Sequence, residues 1–129
     1  MKAEMAMHRA KRAGGDAYAV YGDSMGRALL TRTQIRNLLS KALELNEFFL
    51  CFQPQISAST RRITGFEALI RWNSPELGMV PPLSFIGIAE QNHTIVPIGE
   101  WVLASACDAL KRFNDRFAAS LPMAVNISA

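Results

Sequence analysis

Three short segments of the chain alternate hydrophobic and polar residues, which is the pattern of a β-strand with one buried face. The clearest one spans residues 65–72. One parity holds Phe66, Ala68, Ile70 and Trp72, and the other holds Gly65, Glu67, Leu69 and Arg71. An unpaired charge is costly to bury. The face with Glu67 and Arg71 is therefore expected to meet a metal ion, a charged ligand or water.

Two other segments repeat this alternation more briefly. Near the end of the chain, residues 123–128 place Asn126 opposite a hydrophobic parity. An earlier run, residues 50–54, offers Gln53 and is expected to stop at Pro54. Each of the three strands is thus predicted to carry a polar group near its carboxyl end. Parallel α/β sheets and barrels bind their ligands at that end.

Helical periodicity, with hydrophobic residues at i, i+3, i+4 and i+7, marks two longer segments. A short helix is expected between them, beginning at Pro82, because the missing N–H of proline costs nothing at the first helical position. The first long helix spans residues 25–45 and buries Ile35, Leu38, Leu39 and Ala42. The second spans residues 96–117 and buries Ile98, Val102, Ala106, Ala109, Leu110 and Phe113.

The remaining segments are predicted from their turn residues. Residues 57–62 are polar and favour a hairpin, which makes the first two strands antiparallel. Residues 73–82 contain three prolines and are expected to form a loop. Residues 2–13 are expected to form a helix that ends at a glycine pair, and a short strand follows at residues 17–21.

Length and composition limit the possible architectures. The chain has 129 residues, 50% of them hydrophobic, which fits one globular domain but not a closed (β/α)8 barrel of about 250 residues. No apolar run reaches the roughly 18 residues of a membrane span, and the N-terminus lacks the apolar core of a signal peptide. A cytoplasmic location is therefore expected. Cys51 and Cys107 are far apart and are interpreted as reduced thiols.

The distribution of charge does not indicate that the chain binds DNA or RNA. The formal net charge is +3. Residues 1–45 hold eight basic and four acidic side chains, and residues 46–129 hold six and seven. The basic segment lacks interleaved aromatic residues, so a solvated helix face is the better interpretation. His8 and His93 have no ligand partner at helical or hairpin spacing and are interpreted as surface residues.

The candidate polar residues each leave two interpretations open. Glu67 is either a metal ligand or an ion-pair partner of Arg71, but residues four apart in a strand are about 13 Å apart at Cα, which disfavours the pair. Hard divalent cations prefer carboxylate and amide oxygens. Asn126 is therefore either a second metal ligand or an amide that caps a strand end. Gln53 either binds a ligand or is a satisfied strand-end amide.

Five motifs, in this order and spacing, resemble those of the EAL domain, a family of cyclic di-GMP phosphodiesterases and their non-catalytic relatives. The similarity covers residues 33–129, with Phe52 where the family usually has tyrosine. The motifs are Phe52-Gln53-Pro54, Glu67-Ala68-Leu69-Ile70-Arg71-Trp72, Pro82-Leu83-Ser84-Phe85-Ile86, Ala89-Glu90 and Val125-Asn126-Ile127-Ser128.

The first residues resemble the end of a GGDEF (diguanylate cyclase) domain. Residues 3–11, followed by Gly14, are similar to its last helix, and residues 17–21 to its final strand. Glu4 and His8 stand where aspartate and tyrosine are usual in that family. The two resemblances imply three parts: a GGDEF remnant in residues 1–24, a linker helix in residues 25–45, and the N-terminal part of an EAL domain in residues 46–129.

The resemblance implies an α/β fold, an incomplete TIM-like (β/α)8 barrel whose first strand is antiparallel. It also implies metal-dependent hydrolysis of cyclic di-GMP to linear pGpG in bacterial signalling, with Mg²⁺ or Mn²⁺ as cofactor. Glu67 would be catalytic and, with Asn126, would bind the metal. The substrate would contact Gln53, Leu69, Arg71 and Pro82.

Further acidic ligands and a lysine of the family would follow Ala129, so this fragment is expected to hydrolyse its substrate poorly. Two alternatives stay open. The chain could bind cyclic di-GMP without cleaving it, or it could serve as a protein-interaction module. Self-association is also expected, through an exposed strand edge or the linker helix.

Overall fold

The computed structural model describes Met7 and residues 23–128. The chain forms two compact units, Met1–Gln34 and Ile35–Ala129, and the second unit contains every strand described below. The predicted helix at residues 2–13 and strand at residues 17–21 lie outside the described residues, except that Met7 is helical.

Seven elements follow one another along the described chain. One helix is followed by three strands, and two helices then lead to the last strand. They are α1 (Asp23–Ala42), β1 (Phe48–Ile56), β2 (Ile63–Ser74), β3 (Gly78–Val80), α2 (Pro82–Gln91), α3 (Ile95–Phe117) and β4 (Met123–Val125).

The strands form one open, mixed sheet with β2 in its centre. β1 and β2 are antiparallel, as the polar turn at residues 57–62 predicts, and Gln53 lies opposite Glu67. β4 runs parallel to β2 on the other side, with Ala124 opposite Glu67. Between β2 and β4 the chain passes through α2 and α3, so the fold is α/β with helices in the connection between parallel strands.

Two predicted strand boundaries are wrong. β1 does not stop at Pro54 but continues to Ile56. It is an edge strand of the described sheet, and proline is tolerated on an edge because its missing N–H can face away from the partner strand. The last strand is shorter than predicted, because β4 ends at Val125 and leaves residues 126–128 outside it.

The predicted loop at residues 73–82 is also wrong in part. β2 extends to Ser74, and β3 folds back on it as a third, three-residue strand. The buried Ser74 hydroxyl accepts a hydrogen bond from the backbone N–H of Leu77 at 3.4 Å, and Gly78 adopts φ +69°. Three residues are too few for the alternation to be recognised in the sequence.

The hydrophobic parity of β2 packs against the helices, as predicted. Trp72 is fully buried between Phe48, at 5.9 Å between ring centroids, and Phe85, at 5.5 Å in an edge-to-face arrangement. The indole Nε1–H of Trp72 donates to Oε2 of Glu47, the residue just before β1, at 2.8 Å. The buried core around this cluster consists of Ile35, Leu39, Ala42, Val80, Ile88, Ala89, Ile98 and Val102.

The helices begin and end close to their predicted positions. Pro82 occupies the start of α2, and the stripe of α3 is buried at Ile98, Val102, Ala106 and Ala109. After α3, Ala118 takes the left-handed conformation. The Asn114 side chain then exchanges two hydrogen bonds with the backbone of Leu121, at 3.0 and 3.2 Å. These bonds direct the chain from α3 into β4. Within the described residues, no helix is long and apolar enough to cross a bilayer.

Candidate functional site

The polar parity of β2 forms one face of the sheet, and this face gathers most of the candidate residues. Glu67, Leu69 and Arg71 alternate along β2 and therefore share a face. Gln53 lies directly opposite Glu67 on β1, where opposed side chains are about 5 Å apart at Cβ. Glu67 lies in the middle of β2, not at its carboxyl end as expected, because the strand continues to pair with β3.

Asn126 meets Glu67 on this face. Its Nδ2 amide donates a hydrogen bond to Oε1 of Glu67 at 2.7 Å, although the two residues are 59 positions apart. An ionised carboxylate can only accept hydrogen bonds, so the amide must present its nitrogen to Glu67. The amide oxygen of Asn126 and the second oxygen of Glu67 are then left for other partners.

The approach of β4 to β2 depends on Gly65. The backbone N–H of Phe66 donates to the carbonyl of Pro122 at 3.0 Å, just before β4 begins. A Cβ atom added to Gly65 would lie 3.0 Å from that same carbonyl oxygen. Any side chain at this position would have to push the two chains apart by a few tenths of an ångström, whereas glycine allows the close approach. The contact sets the parallel register that brings Asn126 beside Glu67.

Arg71 does not pair with Glu67, in agreement with the strand spacing. Its Nη1 donates to the carbonyl of Ile70 at 2.8 Å, and the side chain is half-buried. One Arg71 nitrogen is thus held by the backbone. The rest of the planar guanidinium can grip an oxyanion.

A cleft of about 510 Å³ opens next to β4 and brings four of the six candidates together. Leu69, Arg71, Pro82 and Asn126 all line it, whereas Gln53 and Glu67 do not. The rest of its wall is largely apolar. Ala68, Ile70 and Val125 of the sheet contribute to it, and α2, α3 and the segment after β4 contribute Ile86, Ile95, Val96, Ile98, Gly99, Val102, Leu103 and Ile127. A mostly apolar cleft with a few placed polar groups is the usual form of a small-molecule site.

The oxygens of Glu67 and Asn126 fit part of a coordination shell for a hard divalent cation, since both are the ligand types that Mg²⁺ prefers. The two side chains are already in contact. In the described part of the chain, no three His, Cys, Asp or Glu side chains cluster as a metal site would require. These residues would therefore supply two ligands of a larger set.

One polar contact at this site has no counterpart in the sequence-based predictions. The hydroxyl of Ser128 donates a hydrogen bond to Oε1 of Glu90, in the last turn of α2. Two signals could have indicated it. Ser128 shares the parity of Asn126, and an acidic residue at a helix C-terminus opposes the helix dipole, which suggests that Glu90 is there for another reason.

Comparison with known proteins places this arrangement in a family. The profile of the EAL domain matches residues 36–129. The signaling protein YkoW of Bacillus subtilis is 38% identical over 128 residues, which are 99% of this chain and 16% of YkoW. MucR of Pseudomonas aeruginosa, a bifunctional diguanylate cyclase/cyclic di-GMP phosphodiesterase, is 36% identical over 129 residues, 100% of this chain and 19% of MucR.

A solved structure agrees with the sequence comparison. The MucR phosphodiesterase in complex with c-di-GMP superposes with a TM-score of 0.70 and 39% identity, over 74% of this chain and 38% of that one. The chain belongs to the EAL domain family. It spans less than a fifth of the length of YkoW and MucR.

Proposed function

We propose that the chain is the first part of an EAL domain that hydrolyses cyclic di-GMP to linear pGpG in bacterial signalling. The contact between Glu67 and Asn126 is the observation that carries the proposal. It joins an oxygen-bearing side chain of β2 to one that directly follows β4, on the face that also holds Gln53 and Arg71. We further propose that the open sheet is the start of a TIM-like barrel, by analogy with the MucR phosphodiesterase.

Each candidate side chain has a proposed role. Glu67 and Asn126 would hold a divalent cation, Mg²⁺ or Mn²⁺, which when bound activates water and neutralises charge on the phosphoryl oxygens. Arg71 would grip a phosphate of the substrate with its free guanidinium edge. Leu69 and Pro82 would provide apolar contacts for a guanine base, and Gln53 would hydrogen-bond the nucleotide next to Glu67.

The test requires a complete barrel around these residues. We define the hybrid domain as the MucR phosphodiesterase domain in which residues 36–128 of this chain replace the equivalent segment. It should convert cyclic di-GMP to pGpG with Mg²⁺ or Mn²⁺ and lose this activity in EDTA, whereas the 129-residue chain should stay near background. A folded hybrid domain that binds cyclic di-GMP but leaves it intact would contradict the proposed reaction.

A second candidate function is binding without hydrolysis. The cleft gathers Leu69, Arg71, Pro82 and Asn126, whereas the described residues contain no full set of metal-binding carboxylates. Such a module would bind cyclic di-GMP equally well in EDTA and would release no pGpG. Isothermal titration of the hybrid domain with and without metal distinguishes the two functions.

We also propose that residues 1–24 are the end of a GGDEF domain and that residues 25–45 link it to the EAL domain. The alignment with MucR, whose name includes a diguanylate cyclase activity, covers the whole chain and supports this. A cytoplasmic location is proposed as well, because Cys51 and Cys107 are both free thiols, as is usual in a reducing compartment.

A further inference from the structure

Residues 126–128 carry Asn126 but are held by little packing. They lie beyond the end of β4 at Val125, and Ile127 is 77% exposed. A segment without ladder bonds or buried side chains has many conformations open to it. Something else must keep the amide of Asn126 beside Glu67.

Two side-chain hydrogen bonds do so, and both end on carboxylates. Asn126 donates to Glu67 in the centre of the sheet, and Ser128 donates to Glu90 on α2. Hydrogen bonds to an ionised acceptor are about twice as strong as neutral ones. Residues 126–128 are therefore held at both ends, at Asn126 by β2 and at Ser128 by α2.

α2 is a rigid support for the second of these bonds. Phe85 and Ala89 are completely buried and Ile88 is 4% exposed, so the helix cannot shift without disturbing the core. Glu90 follows Ala89 directly and projects from this fixed helix. Its position in the last turn opposes the helix dipole, a cost that the bond to Ser128 offsets.

We propose that Glu90 is a positioning residue: through Ser128 it fixes residues 126–128 so that Asn126 presents its amide nitrogen to Glu67 and its amide oxygen to a cation. The metal half of this statement rests on the proposed function; the positioning half rests only on the two hydrogen bonds.

The positioning half is tested by NMR of the ¹⁵N-labelled 129-residue chain, with the side-chain amide of Asn126 assigned from Asn126→Asp. Glu90→Ala and Ser128→Ala should each move this resonance toward its position in Glu67→Ala, and the double variant should move it no further. Ser128→Thr keeps the hydroxyl and should leave it in place. Glu76→Ala, at an exposed turn carboxylate, is the matched control and should have no effect.

The metal half is tested on the same samples by titration with Mn²⁺, which broadens the signals of nuclei near its site. Loss of a hydrogen-bonded partner behind a metal ligand typically costs 10–100-fold in affinity, so the midpoint should rise about tenfold in Glu90→Ala and Ser128→Ala but not in Ser128→Thr.

The possible outcomes distinguish the positioning role of Glu90 from the proposed metal site. An Asn126 amide resonance that stays unchanged in Ser128→Ala overturns the positioning role. Ser128 lies outside the helices and strands of the described residues, so we expect this variant to fold. If the resonance moves as expected but Mn²⁺ broadens nothing in the wild type, positioning stands and the proposed metal site fails.

Discussion

At the scale of single residues, the charge of Glu67 can be separated from its shape. Glu67→Gln keeps the size and keeps an oxygen that can accept from Asn126, so the 2.7 Å bond has a replacement. In the hybrid domain we expect cyclic di-GMP turnover to fall by more than the 10–100-fold typical of losing an outer partner, because a metal ligand loses its charge.

The control for this substitution is Glu76→Gln, at an exposed carboxylate in the turn before β3. Turnover should be followed at saturating Mn²⁺ by chromatography of pGpG. Retention of most of the wild-type rate in Glu67→Gln would exclude Glu67 as a catalytic ligand.

Arg71 offers a second test, because it lines the cleft while one of its guanidinium nitrogens is bound to the carbonyl of Ile70. Arg71→Lys keeps the charge but loses the planar fork. Binding of cyclic di-GMP to the hybrid domain should weaken by about 1–3 kcal/mol, the value of a hydrogen bond to a charged group, with Mn²⁺ affinity unchanged. Titration calorimetry measures both, and the matched control is Arg62→Lys in the exposed hairpin turn. Equal nucleotide affinity would rule out a phosphate contact.

At the scale of elements, the contact between β2 and the start of β4 is the most sensitive point. Gly65→Ala would place a Cβ atom 3.0 Å from the carbonyl oxygen of Pro122, and backbone cannot move aside as a flexible side chain can. We expect a loss of about 1–3 kcal/mol in the free energy of unfolding, the usual cost of overpacking.

Gly87→Ala is the matched control for Gly65→Ala. Gly87 lies inside α2, and its added Cβ would meet nothing within 4 Å. Alanine is favoured over glycine in a helix interior by up to about 1 kcal/mol, so this variant should be more stable than the wild type. Urea unfolding followed by circular dichroism compares the two. If Gly65→Ala were as stable as the wild type, the backbone at the β2–β4 contact would have adjusted to the added Cβ atom without cost.

The helices and strands also show which parts of the fold and of the candidate site could be predicted from the sequence. The alternation around Glu67 and the periodicity of α3 predict their elements because burial imposes the same period on sequence and structure. The continuation of β1 past Pro54 was not predicted, because the position of a strand at the sheet edge leaves no periodic signal. The strand β3 was not predicted, because three residues are too few to show alternation. The contact of Glu67 with Asn126 depends on the parallel register at Pro122, which is a tertiary property. Glu90 and Ser128 stand in family-like motifs, but their pairing requires α2 and β4 to be placed in space.

At the scale of the whole molecule, the open sheet predicts association. β1 is an edge strand of the described sheet, and Ile56 at its end is 61% exposed. Exposed edges pair with other strands. The 129-residue chain should therefore show a light-scattering mass above 14.2 kDa, and Ile56→Lys should lower it, because edge lysine discourages pairing.

Leu83→Lys serves as the control for that experiment. Leu83 is 99% exposed but lies on α2 and not on a strand, so the mass should not change. If Leu83→Lys dissociates the chain and Ile56→Lys does not, association uses the helical surface and not the edge of β1.

The wide separation of Glu67 and Asn126 along the chain also orders events in time. The β1–β2 hairpin needs only a short turn, and short loops close within about a microsecond or less. The pair of β2 with β4 must wait until α2 and α3 have been made and packed, since long-range pairings cost more closure entropy. During synthesis, β1 and β2 are complete before Asn126 has been added to the chain. We therefore expect Glu67 and Asn126 to meet late in folding, which would make their contact a marker of completed folding.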